Sequence, residues 1–367
     1  MRRYFFDWLF YVIMWVVVTM FFSFIFISLI NAGIDFFNIS AEVAKEPIYR
    51  YMISYKQYIE ALIFGILFGT ATFLINLAVD YTGIHRMSFG KTIIIKTILY
   101  FLAIAIVFIL MAGIILTSGM SPVDANDYFK FYSSNPVPPS LYIAIIVFFI
   151  MSTMLINFIA LVSKKFGSGQ MLLIFLGRYN TPITENRIFM FLDLKDSTRI
   201  AEKLGHIIYS KLLQQCFLDL NKLIPNSGAQ IYQYVGDEAV LTWKVRNYNL
   251  NFTKPIQLFF AFKKKLEKKT KYYTGKFGFT PKFKAGVNAG VVTVAEIGDL
   301  KREIAYHGDV VNTASRLRSA CNEFNKELLA SEYVIQNIDQ SNEYTINEIG
   351  EVNLKGKKNS IKVFSIE

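Results

Sequence analysis

Asp193 and Asp237 are the residues of this chain whose types and settings point most directly to chemistry. Asp193 ends the continuous apolar run Ile188-Phe189-Met190-Phe191-Leu192, which reads as a strand buried on both faces. Asp237 lies in Val235-Gly236-Asp237-Glu238, a hairpin turn between the strand-like runs Ile231 to Tyr234 and Ala239 to Trp243. If these strands are neighbours, both carboxylates project at one edge of a sheet. Two carboxylates do not fill a metal's shell, but they can hold a pair of magnesium ions whose other ligands are phosphate and water. Two such ions activate an attacking oxygen and neutralise a leaving group in an in-line phosphoryl displacement. A strand-end Asp on its own is more often a helix cap or turn residue, so the pair gains meaning only from its company.

That company is spread along the chain. The loop Leu194-Lys195-Asp196-Ser197-Thr198 opens a helix, whose free backbone N–H groups suit a triphosphate. In Asn312-Thr313-Ala314-Ser315-Arg316, four-residue spacing puts Asn312 and Arg316 on one helix face. A guanidinium beside an amide suits a charged phosphoryl transition state and a nearby sugar oxygen. Alone, the pair also reads as an ordinary surface contact. Leu354-Lys355-Gly356 adds a strand-borne Lys able to reach phosphate. His85, His206 and His307 have no zinc-ligand spacing, so any metal is expected to be a hard cation held by oxygen. Cys216 and Cys321 make no disulfide framework and fit a reducing compartment.

The elements that position these residues fill only the second part of the chain. Of 367 residues 53% are hydrophobic and 18% charged, where an ordinary soluble domain carries roughly a quarter charged. This excludes a disordered protein and argues against a purely soluble one. Up to Ser163 there are 9 Lys and Arg against 8 Asp and Glu; after it there are 30 against 20, so the net excess of +11 is almost all in the second part. Four stretches before the divide, 8–30, 58–79, 93–117 and 141–162, reach the length of about 20 apolar residues that a bilayer-crossing helix needs. Arg2 and Arg3 precede the first stretch, yet its apolar run exceeds the roughly 7–15 residues of a cleaved leader, so it is expected to persist as an anchor.

Arg2, Arg3, Arg86, Lys91, Lys164 and Lys165, with Lys96 close by, lie on one side of the four spans. The other loops carry Asp35, Glu42, Glu46, Asp124 and Asp127. The positive-inside bias therefore puts both termini in the cytoplasm. With no charge expected mid-membrane, a channel or transporter is disfavoured. Residues 1–163 are read as a transmembrane domain, 164–184 as a linker, and 185–367 as one α/β domain. Within the last, helices are expected over Ser197 to Leu223, Ile256 to Lys271 and Asp309 to Asn322, and short strands over Ile346 to Ile366. Lys282 to Ala295 reads as strand-like runs broken by Gly286 and Gly290. The clusters Lys263-Lys264-Lys265 and Lys268-Lys269-Lys271 read as a solvated helix face, with contact to anionic lipids as the alternative; no nucleic-acid partner is expected.

Taken together, Phe191-Leu192-Asp193, Tyr234-Val235-Gly236-Asp237, His307-Gly308-Asp309-Val310-Val311-Asn312 with Arg316, and Leu354-Lys355-Gly356 resemble the class III nucleotidyl (adenylate and guanylate) cyclases. Each motif is weak alone; their order and spacing over Glu185 to Glu367 make the resemblance specific. Gly177-Arg178-Tyr179 through Asp193 is similar to the domain entry of bacterial membrane-bound members. The resemblance implies a ferredoxin-like palm in which Asp193, Asp237 and the backbone carbonyl of Leu194 hold two Mg2+ (or Mn2+) ions. Ser197 and Thr198 would lie by the triphosphate and Lys355 on its terminal phosphates. Asn312 would orient the ribose, and Arg316 would stabilise the pentavalent α-phosphate. It also implies a homodimer, with metals from one protomer and Asn312 and Arg316 from the other.

The resemblance breaks where the base is read. Adenylate cyclases of this family usually place a Lys four residues before the second metal Asp, and an Asp or Thr seven residues before the Asn. Here those positions are Gln233 and Ala305. Gln both donates and accepts hydrogen bonds, so it pairs with any base, and Ala305 offers no polar group. Asp196 adds a carboxylate where relatives often have a small residue. The expected function is a membrane-anchored cyclase of the bacterial inner membrane, with ATP favoured. Guanylate or pyrimidine cyclase activity is the alternative, and a catalytically silent nucleotide-binding receptor is the rival of a different class.

Overall fold

The computed structural model describes residues 2–36, 47–82, 89–117, 139–166, 177–245, 252–299, 302–338, 344–352 and 360–367. The chain divides into two compact units, Met1–Val162 and Ser163–Glu367.

The first unit holds α1 (Arg2–Phe36), α2 (Pro47–Met52), α3 (Lys56–Thr82), α4 (Phe89–Thr117) and most of α5 (Pro139–Phe166). All but α2 are long and apolar enough to cross a membrane, over Phe5–Ala32, Lys56–Val79, Ile94–Ile115 and Pro139–Ala160. The helices overrun the expected spans, by six residues at each end of α1, because helical backbone continues past the apolar stretch that signals it. In lipid, helices gain little from apolar contact and associate through close packing and hydrogen bonds. Gly65 and Gly69 supply the close packing between α1 and α3. A Cβ on either would lie 2.7 Å from the Cα of Val16 or Val12. Trp15 sits edge-on to Phe68 with ring centroids 4.4 Å apart, and the Thr19 hydroxyl donates to the Ala61 carbonyl at 2.8 Å. A polar chain ties α3, α4 and α5. Lys96 donates to Asn76 at 2.7 Å, Asn76 donates to the Tyr100 hydroxyl at 2.8 Å, and that hydroxyl donates to Asn157 at 3.1 Å.

The second unit is built on one mixed sheet. Its strands are β1 (Ile183–Leu194), β2 (Gln230–Val235), β3 (Glu238–Lys244), β4 (Phe283–Ile297), β5 (Glu303–His307), β6 (Leu328–Ser331), β7 (Ile346–Val352) and β8 (Ile361–Ile366). They lie in the order β2-β3-β1-β4-β6-β8-β7, with β5 paired to β4 beside that path. β1 is antiparallel to both β3 and β4, while β4 and β6 are parallel. The apolar run of β1 serves two cores by the period-two alternation of a strand. Ile188, Met190 and Leu192 enter a cluster with Leu212, Leu220, Phe259, Phe262 and Tyr273. Phe189 and Phe191 enter the opposite one with Val292, Val294, Tyr306 and Ala314.

The helices of this unit are α6 (Ser197–Leu204), α7 (His206–Asn221), α8 (Ile224–Ser227), α9 (Thr253–Lys268), α10 (Thr270–Phe277), α11 (Asp309–Glu323) and α12 (Glu332–Gln336). α7, α9 and α10 supply most of the first cluster's helical residues, with Val334 of α12, and α11 with β5 covers the other face. Two expectations are corrected. The helix read over Ser197 to Leu223 is broken at Gly205, whose φ of 72° ends α6 and starts α7. The stretch read as runs broken by glycine is one continuous strand, β4. Gly286 does not interrupt that strand; it lets a helix lie on it. A Cβ there would fall 2.2 Å from the amide nitrogen of Arg318 and 2.4 Å from the carbonyl oxygen of Ala314. The basic face of α9 and α10 is also partly committed. Lys263 pairs with Glu327 at 2.6 Å, and Lys269 reaches the fully buried Asp219 at 2.5 Å.

Gly286→Ala is expected to cost about 1–3 kcal/mol by overpacking α11 against β4, read as a lower thermal midpoint of the purified chain in detergent. Gly275, in α10 with nothing within 4 Å of an added Cβ, is the control: Gly275→Ala should hold or raise the midpoint. Equal midpoints for the two variants would contradict the packing argument.

Candidate active site

Register brings the two aspartates together. Asp193, one residue from the end of β1, lies opposite Glu238, the first residue of β3. The turn that precedes β3 is made by Gly236, at a φ of 59°, and Asp237. Asp237 is thus beside Asp193, close enough for each carboxylate to act on the other. Burial pushes the Asp193 carboxyl above its ordinary range, and the charge of Asp237 pushes it the same way against the pull of Arg318 and Lys284. Lys284 Nζ and Arg318 Nη1 each lie 3.4 Å from Asp193 Oδ2. The second arm of Arg318, Nη2, lies 2.6 Å from Glu238 Oε2. Glu238 is also held above its usual value, by burial first and against the same guanidinium.

An acid pair of this kind fits a divalent cation. Its donors are all oxygen, and the charge that each carboxylate imposes on the other is what a bound cation relieves. Among the described residues no group of three or more His, Cys, Asp or Glu is arranged to hold a metal ion. Further ligands are then left to backbone carbonyls, substrate and water.

The loop beyond β1 is short and bent. Leu194 is buried, and the Lys195 N–H donates to the Lys282 carbonyl at 2.9 Å. Asp196 adopts a left-handed conformation with φ 57°, which Asp tolerates better than most residues, and starts α6. Burial, with the charges of Asp237 and Asp193, pushes the Tyr209 phenol of α7 up to about 12, against the pull of nearby Ser197. Thr198 is exposed. Asn312 and Arg316 lie on α11, and among the described residues neither side chain makes a hydrogen bond or ion pair. The residue of α11 that reaches Asp193 is Arg318, two positions on and about 200° further around the helix. Lys355 lies outside the described residues.

Gln233 is exposed on β2 opposite Val240, and Ala305 is buried on β5 opposite Ala295. Their chain neighbours Tyr232 and Tyr306 meet edge-to-face, with centroids 4.8 Å apart. Tyr306 also carries the Arg187 guanidinium 4.7 Å above its ring. Four residues of this region were missed in the sequence reading: Glu238, Lys284, Arg318 and Tyr209. Glu238 was legible in principle, since a residue flanking a hairpin Asp must lie opposite the neighbouring strand's end. The other three come from elements far along the chain, and no spacing signals them.

Residues 181–367, half of the chain, match the adenylate and guanylate cyclase catalytic domain family. The chain belongs to that family, and its fold is four apolar helices followed by a mixed-sheet cyclase catalytic domain. It is 30% identical over 211 residues to adenylate cyclase 2 of Rhizobium meliloti, covering 58% of this chain and 58% of that protein. It is 24% identical over 188 residues to an adenylate cyclase of Anabaena cylindrica, covering 50% of this chain and 37% of the relative. The match therefore spans well under two thirds of either relative's length. A bacterial light-regulated adenylyl cyclase structure superposes with a TM-score of 0.52 at 17% identity, over 60% of this chain and 64% of that one, which shows the shared fold.

The Arg187 cluster beside this region yields a pH prediction. Arg187 is buried at 1% exposure and donates from Nε to Glu185 at 2.8 Å; Lys244 pairs with the other Glu185 oxygen. Burial opposes the Glu185 charge, but Lys244 and Arg187 outweigh it and hold the carboxyl below its usual range. With the folded-state value below the unfolded one, the stabilisation is complete at neutral pH and is lost as pH falls through the folded value. Glu185→Gln is expected to lose about 3 kcal/mol at neutral pH by leaving a buried guanidinium undercompensated. The gap in thermal midpoint from the unsubstituted chain should close as pH falls below the ordinary glutamate range; a gap that stays constant would refute the assignment.

Proposed function

We propose that this chain is a membrane-anchored nucleotidyl cyclase that converts ATP to 3′,5′-cyclic AMP and pyrophosphate. The observation that carries the reading is the juxtaposed Asp193–Asp237 acid pair at the end of β1, next to a helix start and in a chain of this family. Divalent cations are general in the family. Held by Asp193, Asp237 and the Leu194 carbonyl, two Mg2+ or Mn2+ ions would supply Lewis-acid activation of the 3′-oxygen and charge neutralisation at the triphosphate.

The remaining work falls to this chain's side chains and backbone. The start of α6, with Ser197 and Thr198, receives the β- and γ-phosphates on free N–H groups. Lys355 pairs with the terminal phosphates. Asn312 orients the ribose so that the 3′-oxygen lies in line with the α-phosphorus, and Arg316 meets the charge that develops on the α-phosphoryl oxygens. The 3′-oxygen bonds to the α-phosphorus, the bond to pyrophosphate breaks, and the hydroxyl proton passes to solvent. Among the described residues the side chains of Asn312 and Arg316 make no hydrogen bond or ion pair, whereas the neighbouring Arg318 meets the acids. This favours a homodimer in which each protomer lends its Asn312–Arg316 face to the acid pair of the other.

ATP is favoured because the curated relatives are adenylate cyclases. Gln233 and Ala305 keep guanylate and pyrimidine cyclase activity as the second reading, since neither residue discriminates strongly between bases. The four apolar helices anchor the chain in the bacterial inner membrane, with the basic flanks and the catalytic domain on the cytoplasmic side.

Purified full-length protein, given Mg2+ or Mn2+ and each of the four nucleoside triphosphates in turn, should yield cyclic AMP by mass spectrometry. No cyclic product from any of them would remove the enzyme reading. Asp237→Ala and Arg316→Ala should each lose at least about 100-fold in turnover. Co-expressed, the two variants should regain roughly a quarter of the sites by random pairing into two-fold dimers; no recovery would refute the shared site.

A further inference from the structure

Arg318 stands where a bound cation belongs. Its amide nitrogen is pinned over Gly286, at the point where α11 touches β4 most closely. From there its two arms bridge a cross-strand pair, with Nη1 3.4 Å from Asp193 Oδ2 and Nη2 2.6 Å from Glu238 Oε2. The contact is unfinished: Arg318 Nε is buried without a hydrogen-bond partner, and the Asp193 arm is at the long limit of a hydrogen bond. Lys284, the other cation on Asp193, differs in being tied to Asn322 at 2.9 Å. A buried ion pair with an unsatisfied donor gains less than it costs in desolvation, so it yields to a better partner.

We propose that Arg318 is an internal counter-ion that competes with divalent metal for the Asp193 carboxylate and thereby sets the metal concentration at which the site loads. The proposal rests on the reading of Asp193 and Asp237 as metal-holding acids. A guanidinium keeps its charge at every accessible pH, so only displacement, not deprotonation, relieves the competition. A like charge this close to a ligand oxygen weakens cation binding by about tenfold or more. The opposing view, in which Arg318 merely holds Asp193 in position, predicts the reverse. On that view its removal loosens the acids and weakens metal binding.

The test is Mn2+ binding to the detergent-solubilised full chain without nucleotide, read from the electron paramagnetic resonance signal of free Mn2+. Arg318→Gln is expected to bind Mn2+ about tenfold tighter than the unsubstituted chain, and to gain more in thermal midpoint when Mn2+ is added. Arg318→Lys, which keeps the charge but cannot span both carboxylates, should fall between them. Unchanged or weaker binding by Arg318→Gln overturns the proposal. If that variant does not fold, unchanged binding by Arg318→Lys does so. Asp237→Asn separates the two layers of the argument. Loss of Mn2+ binding in that variant leaves the metal reading intact whatever Arg318 does, while retained binding removes the metal reading and this inference together.

Discussion

Two neighbouring carboxyls, Asp193 and Asp237, are the constraint around which the catalytic unit is arranged. Such a pair is costly when buried and needs a rigid frame and nearby positive charge. The frame is the antiparallel pairing of β1 with β3, which sets Asp193 against Glu238 and leaves Asp237 in the tight turn just before it. The positive charge arrives from two directions, Lys284 on the neighbouring strand and Arg318 on α11. No single element contains the site, so its geometry is only as secure as the sheet that joins them.

Helix α11 serves two purposes because a helix has more than one face. Asn312 and Arg316 share one side and among the described residues make no side-chain hydrogen bond or ion pair, while Arg318 turns back to the acids. Gly286 sets how near that helix comes, since any larger residue would collide with helix backbone rather than with a movable side chain. The same device recurs in the helical unit, where Gly65 and Gly69 let α1 and α3 approach at their backbones. In both places glycine acts by what it lacks. In α3 the missing side chain lets two apolar helices meet at their backbones, the kind of packing that joins helices where no hydrophobic force acts between them.

The two-part organisation was legible from composition, because long uncharged stretches are required to cross lipid and are rare elsewhere. The acids were legible too: a continuous apolar run ending in Asp, and a Gly-Asp turn between alternating runs, are local patterns with local causes. Gly205 and Gly286 were misread in opposite senses. One ended a helix that the apolar periodicity carried through it; the other sat inside a strand it was expected to break. Glycine reports a backbone requirement but not its nature, and at Gly286 the requirement came from a helix that begins more than twenty residues later.

The sequence by itself determined the chain's division into an apolar helical part and an α/β part, the family to which the second belongs, and the identity of the acidic and basic residues available for chemistry. The division follows from composition and periodicity, which are properties of neighbours in the chain, and the family from the resemblance that the ordered motifs carry. Tertiary structure alone decided which of those charges meet. Arg318 rather than Arg316 faces Asp193, Lys284 lies under the same carboxylate, and Tyr232 touches Tyr306. Each depends on strand register and helix rotation, where a shift of one or two residues turns a side chain to another face.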